Sequence, residues 1–174
     1  FRMVNEHGGI NGRMIRLLSL DDGYSPPRAV EQIRKLLEQE QVLAIFSSFG
    51  TPTNTAIVKY LNVRKVPHLF VTSGAAEFAD PKTYPWTMGW RVNYVSEAKV
   101  YARYLLHVRP NAKIAALYQN DDLGKDYLRG LREGLGDHAD KMMVAEASFE
   151  VTDPTVDSQI ITLEAPGADA FFLF

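Results

Sequence analysis

Val42-Leu43-Ala44-Ile45-Phe46-Ser47-Ser48-Phe49-Gly50-Thr51-Pro52-Thr53-Asn54 decides the fold. Five apolar residues in a row are the pattern of a strand buried on both faces, as in a parallel sheet. Polar residues and Gly50 follow at once, and then a helix begins. Thr51 suits the N-cap and Pro52 the first helical position, where the N–H that proline lacks would be unpaired anyway. The first turn of such a helix carries free N–H groups and the positive end of the helix dipole. A strand that ends against a helix N-terminus, with Gly50 allowing close approach to the backbone, is suited to an anion. The simpler alternative is that Thr51 only caps the helix and Gly50 only turns the chain.

Outward from this stretch the same unit repeats. Before it, Met14 to Leu20 reads as a strand, and Ser25-Pro26 opens a helix buried through Ala29, Val30, Ile33, Leu36 and Leu37. Phe1 to His7 reads as the end of a helix closed by Gly8, and Asn11-Gly12 as a turn. After it, a helix from about Pro52 to Arg64 is expected to bury Ala56, Ile57, Tyr60 and Leu61. His68 to Val71 is a short strand leading into the small-residue loop Thr72-Ser73-Gly74-Ala75-Ala76. In an open parallel sheet the carboxyl ends of strands share one edge, so this loop and the loop at Gly50 are expected side by side.

Trp86 to Val92 reads as a strand-like link. Ser96 is the expected cap of a helix buried through Val100, Tyr101, Tyr104, Leu105 and Val108, stopped by Pro110. Lys113 to Tyr118 is a strand with the polar exit loop Gln119 to Leu123. A helix from near Gly124 to Leu135 follows, buried through Leu128, Leu131 and Leu135. Met143 to Phe149 is a strand, Asp153-Pro154 caps a helix to Glu164, and Ala170 to Phe174 is the last strand. Strands alternating with helices predict parallel sheets wound on both faces. The link at Arg91 to Asn93 is the expected boundary between two units, residues 1–91 and 92–174. The start inside an amphipathic helix and the very apolar end at Phe171-Phe172-Leu173-Phe174 lead us to expect an excerpt of a longer protein.

Composition narrows the function. The chain has 174 residues, 46% of them apolar, no cysteine and a formal net charge of −2. There is no basic stripe for nucleic acid, no apolar run approaching the ~18 residues of a membrane span, and no thiol chemistry. The four histidines lie far apart, outside any metal spacing, so no metal or cofactor is expected. The glycine patterns of dinucleotide and NTP sites and the Gly-x-Ser-x-Gly elbow are absent. Asp21-Asp22 and Asp121-Asp122 lie in strand-exit loops, where acids serve as catalysts or as turn formers. Catalysis through Asp121 or Asp122 is the enzyme alternative. Tyr84, Trp86, Trp90 and Tyr94 cluster at the link, either packing it or walling a flat ligand.

Asn5-Glu6-His7-Gly8-Gly9-Ile10-Asn11-Gly12, Asp21-Asp22 with Ser25-Pro26, Val66-Pro67 with Thr72-Ser73-Gly74-Ala75, Tyr118-Gln119-Asn120-Asp121-Asp122-Leu123-Gly124, and Asp169-Ala170-Phe171-Phe172 occur in an order that covers essentially the whole chain. This ordered set resembles the periplasmic solute-binding proteins of ABC importers, in the type I leucine/isoleucine/valine-binding branch. The resemblance implies an α/β, type I periplasmic-binding-protein fold, here incomplete: two doubly wound parallel-sheet lobes joined by a hinge, with ligand between them. It implies a monomer in the periplasm or anchored outside the membrane, without catalysis, that delivers a small carboxylate to ABC permease subunits. A ligand-sensing regulator of the same fold is the alternative. The implied ligand-binding positions are Phe49, Gly50, Thr51, Ser73, Gly74, Ala75, Ala76 and Leu123. Amino-acid binders of that branch usually carry hydroxyls near Gly50 and Ala76, and a tyrosine near Leu123. Their absence points to a carboxylate without an α-ammonium, such as an aromatic acid, because a buried ammonium short of acceptors is costly; a branched-chain amino acid, the default of that branch, is the alternative ligand.

Overall fold

The structure is a computed structural model that describes residues 1–174. It contains two three-stranded sheets, each wholly parallel. The first has the order β1-β2-β3, with β1 at Ile45–Phe46, β2 at His68–Val71 and β3 at Thr87–Gly89. The second has the order β5-β4-β6, with β4 at Ile114–Gln119, β5 at Met143–Phe149 and β6 at Ala170–Leu173. The helices between them are α1 (Arg2–Glu6), α2 (Pro26–Arg34), α3 (Thr51–Val63), α4 (Tyr94–Val108), α5 (Asp122–Leu135), α6 (Ala139–Met142) and α7 (Asp157–Glu164). The alternation read from the sequence is therefore present, and the parallel α/β class with it.

In the second sheet, alternate residues of β4 serve two layers, as the strand period requires. Ile114 and Ala116 pack with Ala98, Ala102 and Leu105 of α4 and with Leu131 and Leu135 of α5. Ala115 and Leu117 pack with Leu163 of α7. In the first sheet, Ile45 packs with Ala29 and Ile33 of α2 and with Ile57 and Leu61 of α3. A fourth cluster joins Val58, Val71, Ala75, Phe78 and Tyr94, and Leu123 and Tyr127 of α5 lean on it. That cluster ties residues of the first sheet to α4 and α5.

Several local expectations are corrected. Met14 to Leu20 is not a strand. No backbone hydrogen bond pairs it with a neighbour; instead the Asn5 side chain grips the Ile15 N–H and C=O, each at 2.8 Å. It runs across a groove of about 900 Å³ from Val42–Phe49 rather than against it, and a strand without a ladder is only extended chain. The strand expected over Val42–Phe46 is reduced to two residues, and it is not buried on both faces: Leu43 is 89% exposed. Helix α3 is capped by Gly50 and not Thr51, so Thr51 and Pro52 each lie one position further in. Ala56 on that helix is exposed. Asp153 does not cap α7; its carboxylate accepts the Glu150 N–H at 2.9 Å.

Helix α4 carries the largest correction. It starts two residues before Ser96, because the Asn93 Oδ1 accepts the Val95 and Ser96 N–H groups. Its buried face is Tyr94, Ala98, Ala102 and Leu105, whereas Val100, Tyr101, Tyr104 and Val108 are exposed. The reason lies in α5. Gly130 and Gly134 face Ala98 and Ala102, and a Cβ on Gly134 would stand 2.6 Å from the Ala102 Cβ. Small residues on both helices let the two backbones approach, and that close fit outweighs the burial of larger side chains elsewhere on α4.

Gly130→Ala is expected to destabilise the fold by about 1–3 kcal/mol, because its Cβ would collide with the Val95 carbonyl and the Ala98 methyl. Val100→Ser on the exposed face is expected to stay within about 0.5 kcal/mol. Thermal melts of the two variants measure both, and equal melting temperatures would refute the close helix contact.

Candidate functional site

The two small-residue loops lie side by side, as their position at the carboxyl ends of adjacent parallel strands demands. Ser47 N–H donates to the Leu69 carbonyl at 2.8 Å, Thr72 N–H to the Ser48 carbonyl at 2.9 Å, and Gly50 N–H to the Thr72 carbonyl at 3.3 Å. Phe49 and Thr72 form a parallel bridge beyond the strands proper. The side chains continue the seam: Thr51 Oγ1 and Ser73 Oγ are 2.7 Å apart, with Thr51 1% and Ser73 2% exposed. Ser73 Oγ also accepts the Ala75 N–H at 3.2 Å. These two hydroxyls are engaged with the protein itself.

With Gly50 as the cap, the Thr51 and Thr53 N–H groups of α3 have no partner four residues back, and Pro52 has no N–H to offer. The Gly50 N–H is already engaged with Thr72. Gly50 has φ +97°, and a Cβ there would stand 2.6 Å from the Tyr24 ring and 2.7 Å from Thr53 Oγ1. Glycine is required both by the conformation and by the space.

Tyr24 is the residue that sequence reading missed. Asp21 Oδ1 accepts the Gly23 N–H and Asp22 Oδ1 the Tyr24 N–H, both at 2.8 Å. These two turns explain the paired aspartates structurally and hold Tyr24 at φ +58°. Its ring lies over Gly50 and 6.1 Å from the Phe49 ring, and Phe49 is 64% exposed. Its hydroxyl meets, from the other sheet, Gln119 Nε2 at 3.5 Å. Burial raises the Tyr24 hydroxyl above the ordinary phenol range, so it keeps its proton. An aromatic residue in a strand-exit turn between Asp22 and Ser25 was the available signal.

From the second sheet, Asp121 caps α5 by accepting the Leu123 N–H at 2.9 Å and the Gly124 N–H at 3.3 Å, and it accepts from Gln119 Nε2 at 2.5 Å. Half-burial raises its pKa in spite of those donors. Asp122 is exposed and lies beside Glu77, whose pKa burial also raises. Leu123 is half-buried against the cluster containing Ala75. The Ala76 N–H donates to Asp126 Oδ2 of α5 at 2.7 Å, across the two sheets. Ser73, Gly74 and Ala75 also line a cavity of about 320 Å³ with Arg91 and Asn93. Phe49, Gly50, Thr51 and Ser73 thus share one seam, Ala75 and Leu123 share an apolar cluster, and Ala76 is paired with Asp126.

Behind the seam, His68 is fully buried, with Nε2 at 2.7 Å from Ser48 Oγ and 3.1 Å from Asn54 Oδ1. Its Nδ1 is buried without a partner, and desolvation lowers its pKa to about 4.

Two parallel sheets, a shared edge of small-residue loops and side chains of both sheets meeting over a helix N-terminus define a binding protein of the two-sheet α/β kind. Comparison with known proteins bears this out. The model of the periplasmic binding protein family matches residues 1–174, and the chain belongs to that family. A substrate-binding periplasmic protein from Ralstonia solanacearum superimposes with a TM-score of 0.81 at 27% identity, over 98% of this chain and 47% of that one. The solute-binding protein of an ABC transporter from R. palustris, solved with benzoate, gives a TM-score of 0.82 at 18% identity, over 98% and 47%. An amino acid binding protein from Pseudomonas aeruginosa is 20% identical over 97% of this chain and 45% of its own length. The chain spans about half the length of each.

A buried neutral histidine makes stability depend on pH. Its folded pKa of about 4 lies below the ordinary 6.5, so between those values the unfolded chain binds more protons and stability rises with pH. Falling from pH 7 to below 4 is expected to remove about 3 kcal/mol through this group. Thermal melts over that range for the wild type and His68→Gln measure the difference, which is expected to narrow as pH falls.

Proposed function

We propose that the protein is the extracytoplasmic solute-binding component of an ABC importer and takes a small organic carboxylate without an α-ammonium, such as an aromatic acid. Lobes of residues 1–91 and 92–174, turning about the link at Arg91 to Asn93, would enclose it, with the closed state favoured by its tighter contacts. The protein would act as a monomer, in the periplasm or anchored outside the membrane, and hand its ligand to permease subunits. No helix is long and apolar enough to cross a membrane.

One observation carries this reading: the Thr51 and Ser73 hydroxyls are buried and bonded to each other. That pair is therefore set back from the surface, and the α3 N-terminus beside it favours an anion such as a carboxylate. The Asp121 carboxylate already accepts two backbone N–H groups and the Gln119 amide. Tyr24 and Phe49 supply an aromatic wall over the α3 N-terminus, suited to a flat ring. The relative solved with benzoate is consistent with an aromatic acid. The relative named for amino acids makes an amino acid, branched-chain ones included, the competing ligand, and its ammonium would need a carboxylate partner. A ligand-sensing role on the same fold would share the site and differ in the partner.

A thermal-shift series on the full-length protein with benzoate, butyrate, leucine and valine tests the reading. Benzoate at about 100 times its dissociation constant is expected to stabilise the fold by about 2.7 kcal/mol, with no shift from leucine or valine. A shift with leucine alone would reverse the ligand class.

A further inference from the structure

We infer that His68 is a positioning residue of the ligand site: through Ser48 and Asn54 it holds the Gly50 carbonyl inward and so turns the Thr51 N–H toward the cleft. The inference rests on the reading of the α3 N-terminus as the carboxylate site.

The chain of contacts has a fixed direction. Asn54 Nδ2 donates to the Gly50 carbonyl at 2.5 Å and to the Ser48 carbonyl at 3.2 Å. With its amide nitrogen so engaged, Asn54 Oδ1 must face Ser48 and His68. Ser48 Oγ donates to that oxygen at 2.6 Å. Having given its proton to Asn54, the Ser48 hydroxyl can only accept from His68 Nε2 at 2.7 Å. The histidine therefore carries its proton on Nε2, shared with Asn54 Oδ1 at 3.1 Å, and Nδ1 is the bare, buried, unpartnered nitrogen. Asn54 and His68 are both fully buried, and Ser48 between them is half-buried.

The peptide plane transmits this to the site. In a trans peptide the C=O and the following N–H point in opposite directions. A Gly50 carbonyl drawn inward by Asn54 sends the Thr51 N–H the opposite way, while the Tyr24 ring lies over Gly50. Thr53 Oγ1 draws the Phe49 carbonyl the same way at 2.6 Å. Asn54 grips the loop, and His68 and Ser48 keep Asn54 from rotating.

The Ser48–His68 pair does not have the arrangement of a nucleophile and its base. The serine proton points at Asn54 and not at the imidazole, and no carboxylate orients the ring through Nδ1.

The test compares His68→Gln, which keeps a donor at the reach of Nε2, with His68→Phe, which keeps a flat ring and loses the donor. Two readouts are taken on the full-length protein: the amide resonance of Thr51 in a 15N–1H spectrum without ligand, and the benzoate dissociation constant by calorimetry. His68→Phe is expected to shift the Thr51 resonance and weaken benzoate about tenfold or more, and His68→Gln to restore both. Ser48→Ala, which removes the bridging hydroxyl at a half-buried position, is expected to shift the same resonance and serves if His68→Phe does not fold. An unmoved Thr51 resonance and unchanged affinity in His68→Phe, or in Ser48→Ala where that variant serves, would overturn the positioning role. So would failure of His68→Gln to restore a resonance that His68→Phe moves. A Thr51 resonance that moves in His68→Phe and returns in His68→Gln, with no benzoate binding by the wild type, would support the positioning role and overturn the ligand reading alone.

Discussion

The seam between the loops at Gly50 and Ser73 is the contact on which the site depends. Neither loop has a regular structure of its own. Each is the exit of a short parallel strand, and β1 has only two residues in the ladder. Order comes from the bridge between Phe49 and Thr72 and from the buried Thr51–Ser73 hydroxyl pair. An unmade hydrogen bond at such a buried pair costs about 1–3 kcal/mol, so the two loops are held to one arrangement. The burial of that pair sets both hydroxyls back from the surface, where the Tyr24 and Phe49 rings stand.

The second sheet meets this seam through α5. Its N-terminal turn carries Asp122 beside Glu77, Leu123 against the Ala75 cluster and Asp126 to the Ala76 N–H. Asp121 caps the helix and holds the Gln119 amide, which reaches the Tyr24 hydroxyl.

The alternation of strands and helices was legible because apolar periodicity and caps are local signals. So was the adjacency of the two loops, which follows from parallel topology. What was not legible depended on partners distant in the chain. The buried face of α4 was misread because the largest apolar side chains suggested one face, while Ala98 and Ala102 meet Gly130 and Gly134 on another. Met14 to Leu20 has the composition of a strand, but pairing is decided by the neighbour and not by the segment. Tyr24 and Gln119 lie 95 positions apart, and nothing in either neighbourhood announces that their side chains meet. His68 looked like an ordinary strand residue, since a histidine reveals its tautomer only through what surrounds it.

Both tryptophans of the chain, Trp86 and Trp90, flank β3. Trp90 stands immediately before the Arg91–Asn93 link, is 69% exposed, and packs edge-on against Phe70 at 5.2 Å between ring centroids. Indole emission depends on the polarity of its surroundings and on nearby rings. Trp86, at the other end of the strand, is 40% exposed and lends its carbonyl to the His68 N–H. The segment leading into the link thus carries two partly exposed indoles, each anchored to β2 and each a fluorescent marker of that strand's surroundings.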